Sequence, residues 1–378
     1  MKNLVFNCAV VILVALASCD ADTTRGTPYL GEKLANVQFT FDRYGDEIKE
    51  VSWNADGTML ASVDNNSFSV WNTTTGKYMY TIAEDGPRAD VHVSWSPDGT
   101  RLATSSDEYA PAGFDIGLIS IRNPSDGQVI LRLGERITLS TPKCMSWSAD
   151  GKYLSTSELG RINIWNPDKG YLYNTVQGHT DIINQLFWNT KNHTSVSASH
   201  NEIIIWNSPT NDKTLTLKGH DLWINDIDLS SDGTRIVSGS MDYTAIIWDV
   251  ATGTKLFTLV GHRQTIKDVS WSPDCSKIVT GAYDGGAIIW DASTGTQLFR
   301  LKGNEQVTST VAWSPDGKKV AMNSWNDATI WDASTGKKIL TLAGHTKGIN
   351  RLCWSPDGKR IATGSSDGTV KIWYVEEM

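Results

Sequence analysis

The chain has 378 residues, of which 40% are apolar and 20% charged, and its 34 basic and 42 acidic residues give a formal net charge of −8. This composition excludes a disordered, a collagen-like or a polytopic membrane protein. Five cysteines without a C-x-x-C pair exclude the common zinc modules. The negative charge balance, without long runs of either sign, argues against nucleic acid as a partner.

Residues 1–18 have the layout of a secretory signal peptide, because Lys2 precedes an apolar run, Cys8–Ala17, that is too short to cross a bilayer as a helix. The sequence Leu16-Ala17-Ser18-Cys19 resembles the lipobox of bacterial lipoproteins. That resemblance implies lipidation of Cys19 and a location in the bacterial cell envelope, facing the periplasm or the cell surface. Cleavage after Ala17 is the alternative, and it would release a soluble secreted or periplasmic protein.

Residues 19–36 have no apolar periodicity and are predicted to be a flexible tether. From residue 37 to residue 378 the chain repeats one unit eight times. Successive units end 41 to 43 residues apart, with one longer interval of 51 residues caused by an insertion, Asp107–Asp115, in the second unit. The residues that mark these endings are Trp71, Arg122, Trp165, Trp206, Trp248, Trp290, Trp331 and Trp373.

Each unit also contains an earlier landmark, a large apolar residue followed by a tight turn, most often Ser-Pro-Asp-Gly. These residues are Trp53, Trp95, Trp147, Trp188, Leu229, Trp271, Trp313 and Trp354. The turn residues and the period-two alternation around them predict four antiparallel strands in every unit. In the fifth unit the predicted strands are Ile224–Leu229, Arg235–Ser240, Ala245–Trp248 and Lys255–Leu259.

Together with the Gly-His pairs that precede four units, at Gly178, Gly219, Gly261 and Gly344, these motifs resemble the WD-repeat β-propeller family. The resemblance implies an all-β domain whose four-stranded blades surround a central channel. The strand count predicts eight blades rather than seven. Only Tyr374–Met378 follows the last repeat ending, so Val37–Phe41 is expected to supply the missing outer strand and close the ring. In the seven-bladed alternative this segment would be free.

Three units combine a hydroxyl, an imidazole and a carboxylate, as hydrolases do. The family resemblance instead implies structural tetrads that fasten each blade. The three sets are His220, Ser238, Asp242 and Trp248; His262, Thr280, Asp284 and Trp290; and His345, Thr363, Asp367 and Trp373. The first, third, fourth and seventh units lack the set. At their turns the residues expected to be left-handed are Asn66, Gly160, Asn201 and Asn326. We predict no catalytic residue, metal or cofactor.

Only Trp223 and Trp325 of the 16 tryptophans fall outside the repeat pattern. With His200, Met241 and Tyr283 they occupy positions that the resemblance assigns to the partner-binding face, the face of the Gly-His loops. Tyr109 and Phe114 of the insertion are expected to overhang the same face.

The sequence therefore predicts a non-catalytic scaffold that binds a protein partner and touches the membrane only through its lipid. An enzyme or small-ligand binder at the channel mouth is the alternative. No cluster of carboxylates, metal ligands or phosphate-cradling glycines in the sequence supports that alternative, and the fold alone does not decide it.

Overall fold

The computed structural model describes residues 35–42, 46–83, 91–109, 115–138, 142–189, 194–207, 212–303 and 307–375, without the side chains of 107–109, 115–116 and 135–138. All of the described residues belong to one compact unit, residues 33–378. The predicted signal peptide and Cys19 lie outside the described residues. Within the described ranges, no helix is long and apolar enough to cross a membrane.

The described part of the chain forms eight four-stranded antiparallel sheets, which we number as blades 1 to 8 in chain order. The first strand, β1 (Val37–Phe41), belongs to blade 8. The strands of blades 1 to 4 are β2 (Glu50–Trp53), β3 (Met59–Val63), β4 (Ser67–Asn72) and β5 (Lys77–Ala83); β6 (His92–Trp95), β7 (Leu102–Tyr109), β8 (Asp115–Arg122) and β9 (Val129–Thr138); β10 (Met145–Trp147), β11 (Leu154–Glu158), β12 (Arg161–Trp165) and β13 (Leu172–Gln177); β14 (Ile183–Trp188), β15 (Thr194–Ser199), β16 (Glu202–Asn207) and β17 (Lys213–Lys218).

Blades 5 to 8 continue the same order. Their strands are β18 (Ile224–Leu229), β19 (Arg235–Ser240), β20 (Thr244–Asp249) and β21 (Lys255–Val260); β22 (Ile266–Trp271), β23 (Lys277–Ala282), β24 (Gly286–Asp291) and β25 (Gln297–Lys302); β26 (Val311–Trp313), β27 (Lys319–Ser324), β28 (Asp327–Asp332) and β29 (Lys338–Leu342); β30 (Ile349–Trp354), β31 (Arg360–Ser365) and β32 (Val370–Tyr374).

The ring closes at blade 8, where β1 pairs antiparallel with β32 and completes the order β1-β32-β31-β30. Phe41 lies opposite Val370, and its ring stacks on Trp71 of blade 1 with centroids 4.1 Å apart. The prediction of eight blades, with the N-terminal strand in the last, is confirmed. Closure pairs strands that would otherwise remain exposed edges.

The core lies between neighbouring sheets, and each apolar cluster draws residues from two consecutive blades. The repeat-ending tryptophans are buried there, Trp248 and Trp290 among them. The tryptophans that precede the turns also join blades, because in six cases the indole N–H donates to a main-chain carbonyl of the preceding blade. These bonds run from Trp53 to Cys353, Trp95 to Ser52, Trp147 to Ser94, Trp271 to Asp228, Trp313 to Ser270 and Trp354 to Ala312, over 3.0–3.4 Å.

We call the strands of each blade a to d from the channel outward. The turn face carries the a–b and c–d turns, and the loop face carries the b–c turns and the connections between blades. The predicted Gly-His loops are therefore all on the loop face.

Candidate functional site

Blades 5, 6 and 8 each contain a hydrogen-bonded tetrad at their loop-face end. In blade 5, His220 Nδ1 lies 2.8 Å from Asp242 Oδ2 and His220 Nε2 lies 2.7 Å from Ser238 Oγ, which also accepts the indole N–H of Trp248 at 2.9 Å. The same contacts join His262, Thr280, Asp284 and Trp290, and His345, Thr363, Asp367 and Trp373.

Burial by itself raises the pKa of Asp242, but hydrogen bonds from His220 and Thr244 outweigh burial and hold this pKa well below its ordinary value. In blade 8 the balance is similar. Burial opposes hydrogen bonds from Thr369, Thr346 and His345, which lower the pKa of Asp367 to about 2. The carboxylates are therefore ionised and engaged in holding the turns, as a structural role requires.

Blade 4 also holds such a network, contrary to the sequence analysis. His179 Nε2 lies 2.7 Å from Ser197 Oγ, which accepts the indole N–H of Trp206 at 2.8 Å. The carboxylate is Glu202, whose Oε1 lies 3.3 Å from His179 Nδ1. Glu202 is the first residue of β16, where blade 5 has Thr244. Its longer side chain reaches the imidazole from the strand, so the shorter turn does not remove the network.

Large apolar side chains are exposed along the loop face of blades 3 to 7. We call this set the loop-face patch, and it consists of Leu159, Ile182, Leu222, Trp223, Met241, Tyr243, Tyr283 and Trp325. Five partner-binding residues were predicted for the turns and loops of blades 4 to 7. Four of them belong to the patch, namely Trp223, Met241, Tyr283 and Trp325. The side chains are 37–54% exposed, so neighbouring loops do not cover them. Leu222 and Tyr243 have no repeat signal and were missed by the sequence analysis.

The fifth residue, His200, packs against the patch rather than extending it. Its ring lies 5.1 Å from that of Trp223, which joins blade 4 to blade 5. At the other end of the patch, Lys267 Nζ lies 5.7 Å from the ring centre of Tyr283. The insertion of blade 2 lengthens the hairpin of β7 and β8 as far as the pair Tyr109 and Asp115. The side chains of Tyr109 and Phe114 lie outside the described residues.

Several patch residues adopt a left-handed backbone. In blades 3, 4 and 7 the left-handed residue is the first of two turn residues, namely Leu159, His200 or Trp325, with φ of 51°, 51° and 60°. The expectation that Asn66, Gly160, Asn201 and Asn326 would be left-handed is wrong, because none of them has this φ. The physical reason is a bond between blades: the turned carbonyls of Leu159, His200 and Trp325 accept N–H groups from Ile183, Ile224 and Ile349 at 3.0, 2.6 and 2.7 Å.

Tyr243 provides an internal comparison. It follows the tetrad residue Asp242 with φ of 73°, and in the same place blades 6 and 8 have Gly285 and Gly368, with φ of 82° and 77°. Glycine adopts this conformation without the steric cost that a side chain brings. The fold therefore explains the backbone at these turns, but it does not explain why leucine, histidine, tyrosine and tryptophan stand there.

The channel contains a cavity of about 540 Å³ bordered by the inner strands of blades 1, 4, 5, 6, 7 and 8. Its walls bring together Glu50, Asp226, Asp228, Asp268 and Arg351. The expectation from the sequence that the channel has no cluster of carboxylates is therefore wrong. A signal existed: in every repeat the residue three positions before the turn landmark belongs to one ring, formed by Glu50, His92, Cys144, Gln185, Asp226, Asp268, Thr310 and Arg351.

Three of these carboxylates connect the inner strands of adjacent blades. Asp226 accepts the main-chain N–H of Val269 at 3.0 Å, Asp228 accepts that of Trp271 at 2.7 Å, and Asp268 accepts that of Val311 at 2.7 Å. Inner strands have no ladder to the next blade, so these side chains satisfy N–H groups that would otherwise be buried without a partner.

The pKa values of carboxyl groups in the channel are raised, whereas those of the tetrad carboxyl groups are lowered. Burial, followed by the charge of Asp268, raises the pKa of Asp226 well above its ordinary value. Burial raises the pKa of Asp228 to about 7, and it also raises the pKa of Glu50. The negative charge of Asp268 raises the pKa of the Arg351 guanidinium further above its usual range. Among the residues that the structure describes, no three His, Cys, Asp or Glu side chains are placed to hold a metal ion.

The repeats of this chain are similar to those of known proteins. Residues 76–109, 138–166, 211–249, 253–291 and 336–374 match the family model of the WD domain, G-beta repeat. Among curated proteins, the chain is 31% identical over 153 residues to the B-type cell cycle switch protein ccs52B of Medicago truncatula, covering 39% of this chain and 31% of that protein. It is 26% identical over 214 residues to eukaryotic translation initiation factor 3 subunit I of Culex quinquefasciatus, covering 52% and 62%.

The chain thus spans less than two thirds of the length of these relatives. Among solved structures, the C-terminal WD40 domain of Sif2 superposes with a TM-score of 0.77 at 17% identity, over 92% of this chain and all of that one. The computationally designed Ika8 protein gives 0.74 at 20% identity, over 91% and 100%. At such identities the likeness concerns the fold alone. Five segments of the chain thus match the WD40 repeat, and the closed ring of eight blades shows that these repeats build a β-propeller.

Proposed function

We propose that the protein is a non-catalytic scaffold that binds a protein partner through the loop-face patch. WD40 propellers commonly serve as protein-interaction scaffolds. The observation that carries the proposal is the concentration of eight exposed large apolar side chains on one face of consecutive blades. Exposed patches of this kind mark interaction surfaces, and tryptophan, tyrosine and methionine are enriched where interfaces are buried.

The backbone of the patch supports the same conclusion. Leu159, Tyr243 and Trp325 occupy left-handed positions at which a glycine would cost less. Exposed side chains at such positions contribute little to the core. Their benefit is expected to come from contacts with another molecule.

The polar groups that most resemble a hydrolase triad do not favour catalysis. The imidazoles of His179, His220, His262 and His345 are fully buried within their blades, so a substrate has no access to them. Each is also bonded on both ring nitrogens.

A crosslinking experiment tests the proposal. A photoreactive residue placed at Trp223 or at Trp325 is expected to trap the same partner in intact cells, whereas one placed at Lys152 on the turn face should not. A second protein combines Trp223→Ala, Tyr283→Ala and Trp325→Ala and carries the photoreactive residue at Leu222. We expect no crosslink to the partner from this protein. Its melting temperature should stay close to that of the native chain. Undiminished crosslinking by the triple variant would overturn the proposal.

We also propose that the protein is exported and anchored in a bacterial envelope by a lipid on Cys19. The support is the sequence Leu16-Ala17-Ser18-Cys19 after a short apolar run. Cys19→Ala is expected to move the protein from the membrane fraction to the soluble fraction and to abolish labelling by a radioactive fatty acid. If the native protein is soluble and unlabelled, cleavage after Ala17 is the better account.

A further inference from the structure

In the part of the chain that the structure describes, two charged side chains of the channel cavity connect the inner strands by no hydrogen bond. Glu50 of β2 and Arg351 of β30 lie in blades 1 and 8, which meet where the ring closes. Among the described residues, neither side chain makes a hydrogen bond. The imidazole of His92 lies 4.0 Å from Glu50 and the carboxylate of Asp268 lies 3.7 Å from Arg351, and both distances exceed those of a hydrogen bond.

This distinguishes the pair from the three aspartates of the same cavity. Asp226, Asp228 and Asp268 accept main-chain N–H groups, so the architecture of the ring accounts for them. The side chains of Glu50 and Arg351 are 37% and 49% exposed to the cavity. A guanidinium has five N–H groups to satisfy and a carboxylate accepts several hydrogen bonds. Both groups are therefore open to a molecule that enters the channel.

We propose that the cavity binds a small zwitterion, a molecule carrying one carboxylate and one ammonium group. The carboxylate would pair with the forked guanidinium of Arg351, and the ammonium would pair with Glu50. A simple anion would face the carboxylates that outnumber Arg351. A simple cation would leave the guanidinium of Arg351, whose contact with Asp268 is 3.7 Å long, without a hydrogen-bond acceptor. Both halves of the proposed ligand are therefore required by the chemistry of the walls.

The size and position of the cavity agree with such a ligand. A volume of about 540 Å³ is within the range of small-molecule sites. Asn54, Pro315 and Pro356 of the a–b turns border the cavity, so a ligand would enter from the turn face, opposite the loop-face patch. Binding of the zwitterion and binding of a protein partner can therefore be tested separately.

Titration calorimetry on the purified chain tests this proposal with probes of known charge. Glycine, β-alanine and 4-aminobutyrate carry both charges at increasing separation, while butylamine and butyrate carry one each. At least one zwitterion is expected to bind with one site per chain and at least tenfold more tightly than either single-charge probe. Arg351→Met and Glu50→Gln should each weaken its binding by roughly tenfold or more, because each removes a charged hydrogen-bond partner.

The matched control is Lys152→Met, which removes one positive charge from a side chain that is 72% exposed on the turn face. The Lys152→Met protein should bind the zwitterion as tightly as the native chain does. The protein that combines Trp223→Ala, Tyr283→Ala and Trp325→Ala should also bind it as tightly. If Arg351→Met does not fold, as judged by circular dichroism, Arg351→Lys keeps the charge but loses the forked geometry and should weaken binding by a smaller factor. The proposal fails if no zwitterion exceeds the single-charge probes. It also fails if butylamine binds as tightly and the Arg351 variants leave binding unchanged.

Discussion

The two faces of the propeller meet the same backbone requirement with different residues. In the described turns of the turn face, thirteen residues are left-handed, and twelve of them are glycines, with Cys275 as the exception. In the b–c turns of the loop face, six residues are left-handed, and only Gly285 and Gly368 are glycines. The turn face follows the conformational preference of the backbone. The loop face keeps bulky side chains at some cost in stability, and in the proposed function contacts with a partner offset that cost.

The largest difference between the faces should appear when one tryptophan is removed from each. Trp271, beside the turn face, is 5% exposed, donates its indole N–H to Asp228 and lies under the guanidinium of Arg235 at 4.7 Å. Trp271→Ala is expected to lower the free energy of unfolding by about 3–5 kcal/mol. Trp223→Ala, on the loop face, should change it by no more than about 0.5 kcal/mol, because Trp223 is 44% exposed. Urea denaturation of the two variants measures both values, and equal losses would remove the distinction between the faces.

The two ends of blade 5 should also respond to pH with opposite signs. At the turn-face end, burial raises the pKa of Asp228 from 3.8 to about 7. The folded state then holds this proton more tightly than the unfolded state, so stability from this group is complete below about pH 4 and is lost as the pH rises through 7. Asp228→Asn should reduce the loss of stability between pH 4 and pH 8 by a few kcal/mol. Parallel pH profiles for both proteins would contradict the assignment.

At the loop-face end the sign is reversed. Because hydrogen bonds from His220 and Thr244 outweigh burial and lower the pKa of Asp242, its contribution is present above about pH 4 and is lost as the pH falls through the folded-state value. Asp242→Ala should cost about 1–3 kcal/mol at neutral pH, since it leaves a buried imidazole unpaired. The difference from the native chain should shrink in acid. Thermal unfolding at pH 7 and pH 3 measures this, and an unchanged difference would mean that Asp242 acts through packing.

The features that recur in every repeat could be predicted from the sequence. The contacts that depend on the reach of one side chain, or on the closure of the ring, could not. Eight copies of one landmark predict eight blades, and the alignment of Val37–Phe41 with the other outer strands predicts the closure that β1 makes. Glu202 was missed because its network depends on the reach of a side chain from a strand, and the repeat pattern only marks turn positions. The channel pair Glu50 and Arg351 is 301 residues apart in sequence and meets only because the ring closes.

The smallest and most specific test exchanges the tyrosine of blade 5 for the glycine of its neighbours. Tyr243→Gly removes a side chain from a left-handed position, and it should raise the free energy of unfolding by about 0.5–1 kcal/mol. Gly285→Ala, the reciprocal change in blade 6, should lower it by a similar amount. Denaturation curves measure both, and crosslinking from Trp223 measures the effect on the partner. A more stable Tyr243→Gly protein that captures less partner would show that this residue serves binding at the expense of folding. If the substitution instead destabilises the protein, Tyr243 contributes to the fold, and its left-handed backbone is no argument for a binding face.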